Sequence, residues 1–81
     1  MTVIINIGLK KGVLDSQGKA SHHTLDTLGF KDVVSDVRIG KQIIMKLNTT
    51  DKEEATAQAT KMCEDLLCNT VIEDYEIILE A

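Results

Sequence analysis

From Thr2 to Lys10, Val3, Ile5, Ile7 and Leu9 alternate with Thr2, Ile4, Asn6, Gly8 and Lys10. That is the two-residue period of a strand with one strongly apolar face. The alternation stops before Leu14-Asp15-Ser16-Gln17, where Asp15 or Ser16 can accept hydrogen bonds from the free amides of a first helical turn. The helix is expected to run to about Leu28, and Gly29 can adopt the left-handed conformation that ends helices. Its apolar stripe is thin: Ala20, Leu25 and Leu28, with Thr24 at a tolerable position, so one side packs and the other is wet.

The run Val33-Val34-Ser35-Asp36-Val37-Arg38-Ile39 is rich in β-branched residues, is broken by Gly40-Lys41, and resumes as a strand pattern from Gln42 to Leu47. It predicts either a hairpin or one long strand bent at Gly40. Thr50-Asp51-Lys52-Glu53 has the capping-box pattern, with the Thr50 hydroxyl and the Glu53 carboxylate each satisfying an amide. Ala55, Ala59, Met62, Cys63, Leu66 and Leu67 then form the best helical stripe in the chain, and Asn69 is expected as a left-handed stop. Val71 to Leu79 returns to strand, with Tyr75, Ile77 and Leu79 on one face and Ile78 on the other.

The predicted order β-α-β-β-α-β implies an α+β two-layer sandwich, an antiparallel sheet with two helices on one face, ferredoxin-like in the broad sense. Ile4, Ile44 and Ile78 on the second sheet face are more apolar than a solvated face needs, which points to another sheet or subunit. Length sharpens this expectation: 81 residues make one domain, spanning residues 1–81. A chain of that size buries only about 60–65% of its unfolded surface, so burial against a second subunit is a natural source of stability.

Thirteen acidic against nine basic residues give a net charge of −4, which repels a phosphate backbone and argues against nucleic-acid binding. Bases would also need two or three sheet aromatics to stack on, and the chain holds one Phe and one Tyr. The start of the chain has no basic n-region, no small-residue cleavage site and no bilayer-length apolar run, so a cytoplasmic location and no membrane association are expected. Cys63 and Cys68 would point about 140° apart on a continuous helix. They are expected as buried or half-buried reduced thiols rather than a disulfide or a zinc site.

No residue pattern points to catalysis or to a metal. His22 and His23 are adjacent on a helix, about 100° apart, and read as exposed side chains. Gly8-Leu9-Lys10-Lys11-Gly12 lacks the glycine spacing of a dinucleotide loop and the Gly-Lys-Ser/Thr ending of a nucleotide loop, so it reads as a solvated turn. Glu73, Asp74 and Glu76 surround Tyr75, but on a strand Glu73 and Tyr75 share one face while Asp74 and Glu76 share the other. They read as a solvated or interface rim rather than a carboxylate pair.

Three stretches together resemble the PurS family: Gly12-Val13-Leu14-Asp15-Ser16-Gln17-Gly18-Lys19-Ala20, Val37-Arg38-Ile39-Gly40-Lys41, and the segment from Cys63 to Tyr75. The family usually carries Pro where this chain has Ser16. The resemblance implies a non-catalytic subunit of phosphoribosylformylglycinamidine synthase, the glutamine amidotransferase ligase of purine biosynthesis. Its partners would be a large synthetase subunit (PurL), which uses ATP and magnesium, and a glutaminase subunit (PurQ), and this chain itself would carry no cofactor. It further implies a homodimer that bridges the two partners and assists ammonia transfer. On that reading Arg38, Gly40 and Lys41 at the bend, and Glu73, Asp74 and Tyr75 at the entry to the last strand, are the expected dimer or partner contacts. The competing reading is a free-standing regulatory domain that binds a small metabolite at a dimer interface.

Overall fold

The alternation in the first strand decides the architecture. In the computed structural model, which describes residues 1–80, β1 (Thr2–Leu9) buries Val3, Ile5 and Ile7 almost completely. Removing each such side chain from water contributes about 1.5–3 kcal/mol. That apolar face makes β1 the central strand of a three-stranded antiparallel sheet in the order β2-β1-β3, where β2 is Gly40–Lys46 and β3 is Glu73–Glu80. The register sets Ile5 between Ile43 and Ile77, and Val3 between Met45 and Leu79.

Helix α2 (Lys52–Met62) closes the core over this face. Its contact residues are small, Ala55 and Ala59 followed by Cys63, all fully buried, which lets the helix approach the sheet closely. The chain then runs through one wide π-type turn, Cys63–Leu67, closed by the Cys68 amide donating to the Cys63 carbonyl at 3.0 Å. The cap differs from the expected box. Asp51, not Thr50, is the N-cap and accepts from the Glu53 amide at 3.0 Å, while the Thr49 hydroxyl donates to Glu54 at 3.2 Å. Asn69 does not take the left-handed conformation either. Its side chain accepts from the Val71 amide at 3.2 Å, and its carbonyl accepts from the amides of Ile72 and Glu73, which turns the chain into β3.

The α+β class, with an antiparallel sheet and two helices, is as the patterning implies, but two parts of the expected layout change. Residues 33–39 form no strand, and β2 begins only at Gly40. Their backbone groups are engaged elsewhere: the Val33 and Val34 amides both donate to the Phe30 carbonyl, and the Ile39 amide donates to the Asp15 carboxylate. The second change concerns α1 (Ser16–Leu25), which was expected beside α2 on the sheet.

Only Gly18 of α1 is buried, and neither α1 nor the following π-type turn, Asp26–Phe30, forms a substantial contact with any strand. The left-handed Gly29 at φ 102° breaks the helical run there, as its position predicts. The helix stands off the end of the sheet as an arm. The molecule measures 48 × 26 × 14 Å with a radius of gyration of 16.1 Å, against about 12 Å for a compact domain of this length.

Candidate partner interface

The arm joins the sheet through one buried side chain. Asp15 is 5% exposed, and its carboxylate accepts the Gly18 amide at 2.7 Å through one oxygen and the Ile39 amide at 2.6 Å through the other. The first bond caps α1, and the second ties the residue before β2 to the same group. The Ile39 amide and then the Gly18 amide hold the Asp15 carboxyl below its ordinary range, with Arg38 helping and burial opposing. The packing leaves no slack: a β-carbon on Gly18 would run into the Val37 carbonyl oxygen and sit 2.8 Å from the Asp15 carboxylate. At the start of α1, Asp15 already takes the Gly18 amide, one of the donors an anion there would use.

Several of the residues singled out in the sequence meet at this junction. Arg38 donates to the Lys10 carbonyl at 3.1 Å and lies 3.5 Å from that of Leu9, fastening the loop before β2 to the end of β1. Gly40 pairs with Gly8, and a β-carbon on Gly40 would sit 2.7 Å from the Ile7 carbonyl oxygen, so the close approach of β2 to β1 requires glycine there. Lys41 reaches across β1 to Glu73 at 3.9 Å, and Glu73 also accepts the Asn69 amide at 2.7 Å. Gly40, Lys41 and Glu73 line, with Gln17 and Ile39, a shallow cleft of about 230 Å3 between sheet end and arm.

The other two lie apart from that cleft. Asp74 is exposed on the opposite sheet face, level with Gly8. Tyr75 is half-buried on the core face, level with Ile7, where burial and then the Glu64 carboxylate push its hydroxyl pKa up. The six residues therefore divide among a junction, an outer face and the core margin rather than forming one patch. His22, read as exposed, is half-buried instead, with Nε2 3.1 Å from the Val34 carbonyl oxygen and 3.7 Å from Asp26. Cys63 and Cys68 are both buried free thiols, their pKa values raised chiefly by burial and then by each other's charge at Cys63 and by Glu73 at Cys68.

Among the described residues, apolar side chains gather uncovered on the sheet, on the arm and beside α2. On the open sheet face Ile4 sits between Ile44 and Ile78, which are 62% and 39% exposed. Beside this row runs a polar ladder in which Gln42 donates to Asn6 at 2.9 Å and Asn6 to Glu76 at 3.4 Å. On the arm, Leu28 and Phe30 are exposed, and Ala20, Thr24 and Leu25 border a groove. Along the outer side of α2, Met45, Met62, Leu66 and Leu67 line an open groove of about 470 Å3, rimmed by the Lys61–Asp65 pair at 2.9 Å. The sequence signalled the first surface through its second-face isoleucines. It gave no sign of the α2 groove, because Leu66 reads as part of the buried stripe until the wide turn rotates it outward.

Comparison with known proteins finds relatives over the full length of this fold. Residues 2–81 match the family model described as PurS: phosphoribosylformylglycinamidine (FGAM) synthase. The chain is 41% identical over 78 residues to the phosphoribosylformylglycinamidine synthase subunit PurS of Bacillus subtilis (strain 168), covering 96% of this chain and 90% of that one. Among solved structures it resembles PurS of Methanocaldococcus jannaschii, a subunit of formylglycinamide ribonucleotide amidotransferase in the purine biosynthetic pathway, with a TM-score of 0.88 and 37% identity, covering 98% of this chain and 94% of that one. It also matches a chain in the PurLQS structure from Thermotoga maritima, with a TM-score of 0.86 and 31% identity, covering 95% and 93% of the two chains. With the family model spanning nearly every residue and the fold shared end to end, this chain belongs to the PurS family of phosphoribosylformylglycinamidine synthase subunits.

Proposed function

We propose that this chain is the small structural subunit of a three-part phosphoribosylformylglycinamidine synthase. It pairs with a second copy of itself and bridges a PurL-type synthetase subunit and a PurQ-type glutaminase subunit in the cytoplasm. The chemistry, formylglycinamide ribonucleotide with glutamine and ATP going to the amidine product, belongs to those partners, as do ATP and magnesium. This subunit helps ammonia pass from one active site to the other. Ammonia moving between sites must be kept from bulk water, where it would be protonated, and that calls for a sealed interface rather than a reactive side chain.

The observation that carries the reading is the elongated shape with its uncovered apolar surfaces. A chain that buries one small core and leaves Leu28, Ile44 and Leu66 more than 60% exposed is shaped to complete itself against other subunits. The likeness to a chain of the PurLQS assembly of Thermotoga maritima supports the choice of partners. The arm and the α2 groove suit the pairing of two copies, and the junction residues Arg38, Gly40, Lys41 and Glu73, with Asp74 and Tyr75, supply the polar rim of a contact.

Reconstitution tests it. Adding this chain to the two large subunits should raise glutamine-dependent product formation severalfold, while product formed from added ammonium salt should change far less. Equal glutamine-dependent rates with and without the chain would overturn the proposal.

A further inference from the structure

We infer that Asp15 is the pin that sets the angle of the α1 arm, so that the direction in which the arm is presented depends chiefly on this carboxylate and not on apolar packing against the sheet. This rests on the reading above only in taking the arm as the part offered to a second copy.

Three observations converge on it. The arm lacks an apolar seat on its own sheet: of α1, only Gly18 is buried, and Gly18 packs against Asp15 and the Val37 carbonyl rather than against a strand. The two chain segments that connect the arm to the sheet, one leaving β1 and one entering β2, meet at the Asp15 carboxylate, one oxygen to each side of the junction at 2.7 and 2.6 Å. Arg38 closes the same crossing from outside by donating to the Lys10 carbonyl at 3.1 Å.

A helix held by side-chain packing tolerates the loss of one polar group. A helix held by two bonds to one buried carboxylate does not, because those bonds fix its direction as well as its first turn. An N-cap needs only one of Asp15's oxygens. The second bond, to Ile39, adds nothing to capping and is explained by alignment.

That division gives the test. Spin labels are placed on the arm and on α2 through His23→Cys and Ala57→Cys, both positions exposed, and the labelled chain is diluted with unlabelled chain so that only distances within one molecule are read. The parent should give one narrow distance distribution. Asp15→Ser keeps a hydroxyl to cap the Gly18 amide but is too short to hold Ile39 as well. It should retain the helical circular dichroism and the exchange protection of the β1 amides while the distance distribution broadens at least twofold. Asp15→Asn, which sets an amide against one of the two N–H donors, should broaden it too. An unchanged narrow distribution in Asp15→Ser would overturn the inference. So would loss of β1 protection together with arm order, since Asp15 would then be one more member of a single cooperative core. Neither result depends on whether the chain supports the synthase, which the reconstitution decides separately.

Discussion

The carboxyl of Asp15 is stabilised in its ionised form by two backbone amides, and its acid response follows from that. Its folded pKa lies below the ordinary value of 3.8, so the released junction binds the proton more readily than the folded one. The stabilisation is complete above the ordinary carboxylate range and is lost as pH falls through the lower folded value. Arg38 is the charged neighbour that also favours ionisation. In an acid titration followed by amide exchange, the α1 amides should lose protection below about pH 4 before those of β1 do. In Asp15→Asn that early step should be missing. An arm and sheet that lose protection together at the same pH in both proteins would contradict this.

At the scale of elements, what the sequence made legible and what it hid separate along physical lines. β1 and β3 follow directly from alternation, because each presents one face to a core and the pattern records it. Helix α2 follows from the spacing of Ala55, Ala59 and Cys63. Residues 33–39 mislead because β-branched composition records a preference for extended backbone, whereas membership of a sheet needs a partner edge, and the amides at both ends of this stretch are bonded to Phe30 and Asp15 instead. The two wide turns are invisible to periodicity, since a single inserted residue shifts the stripe without altering composition. The junction is half legible: the sequence offers Asp15 or Ser16 as the cap, but the second bond of Asp15 joins residues 24 apart in sequence.

The helix start also permits a direct check. Ser16 is the first residue of α1, directly after the Asp15 cap, where no intrahelical bond requires its amide. Asp15 itself is extended, at φ −102° and ψ 92°, outside the α region that a following proline disfavours. Ser16→Pro should therefore be neutral or raise stability by up to about 1 kcal/mol. Thermal unfolding would reveal it, and a melting temperature lower by several degrees would place the start of the helix elsewhere.

For the whole molecule, shape and charge act together. The uncovered apolar surfaces lie on separate parts of an elongated body, and the open sheet face combines an isoleucine row with a ladder in which Gln42, Asn6 and Glu76 are linked by hydrogen bonds. If two copies pair through the arm, Leu28→Asp should shift the chain toward monomer by at least tenfold in dissociation constant, since it sets a carboxylate where a side chain 66% exposed in the single chain would be covered. Sedimentation equilibrium reads this directly. An unchanged constant would move the pairing surface off the arm.

The sheet order has a further consequence, for the birth of the protein. The central strand is made well before one of its two neighbours: Thr2 pairs with Glu80, 78 residues later. Until β3 emerges from the ribosome, β1 keeps one edge bare and Ile5 lacks Ile77 beside it. The core can close only once β3 has been made, so a chain cut short before that strand would present an unpaired apolar strand to its surroundings instead of a smaller folded unit.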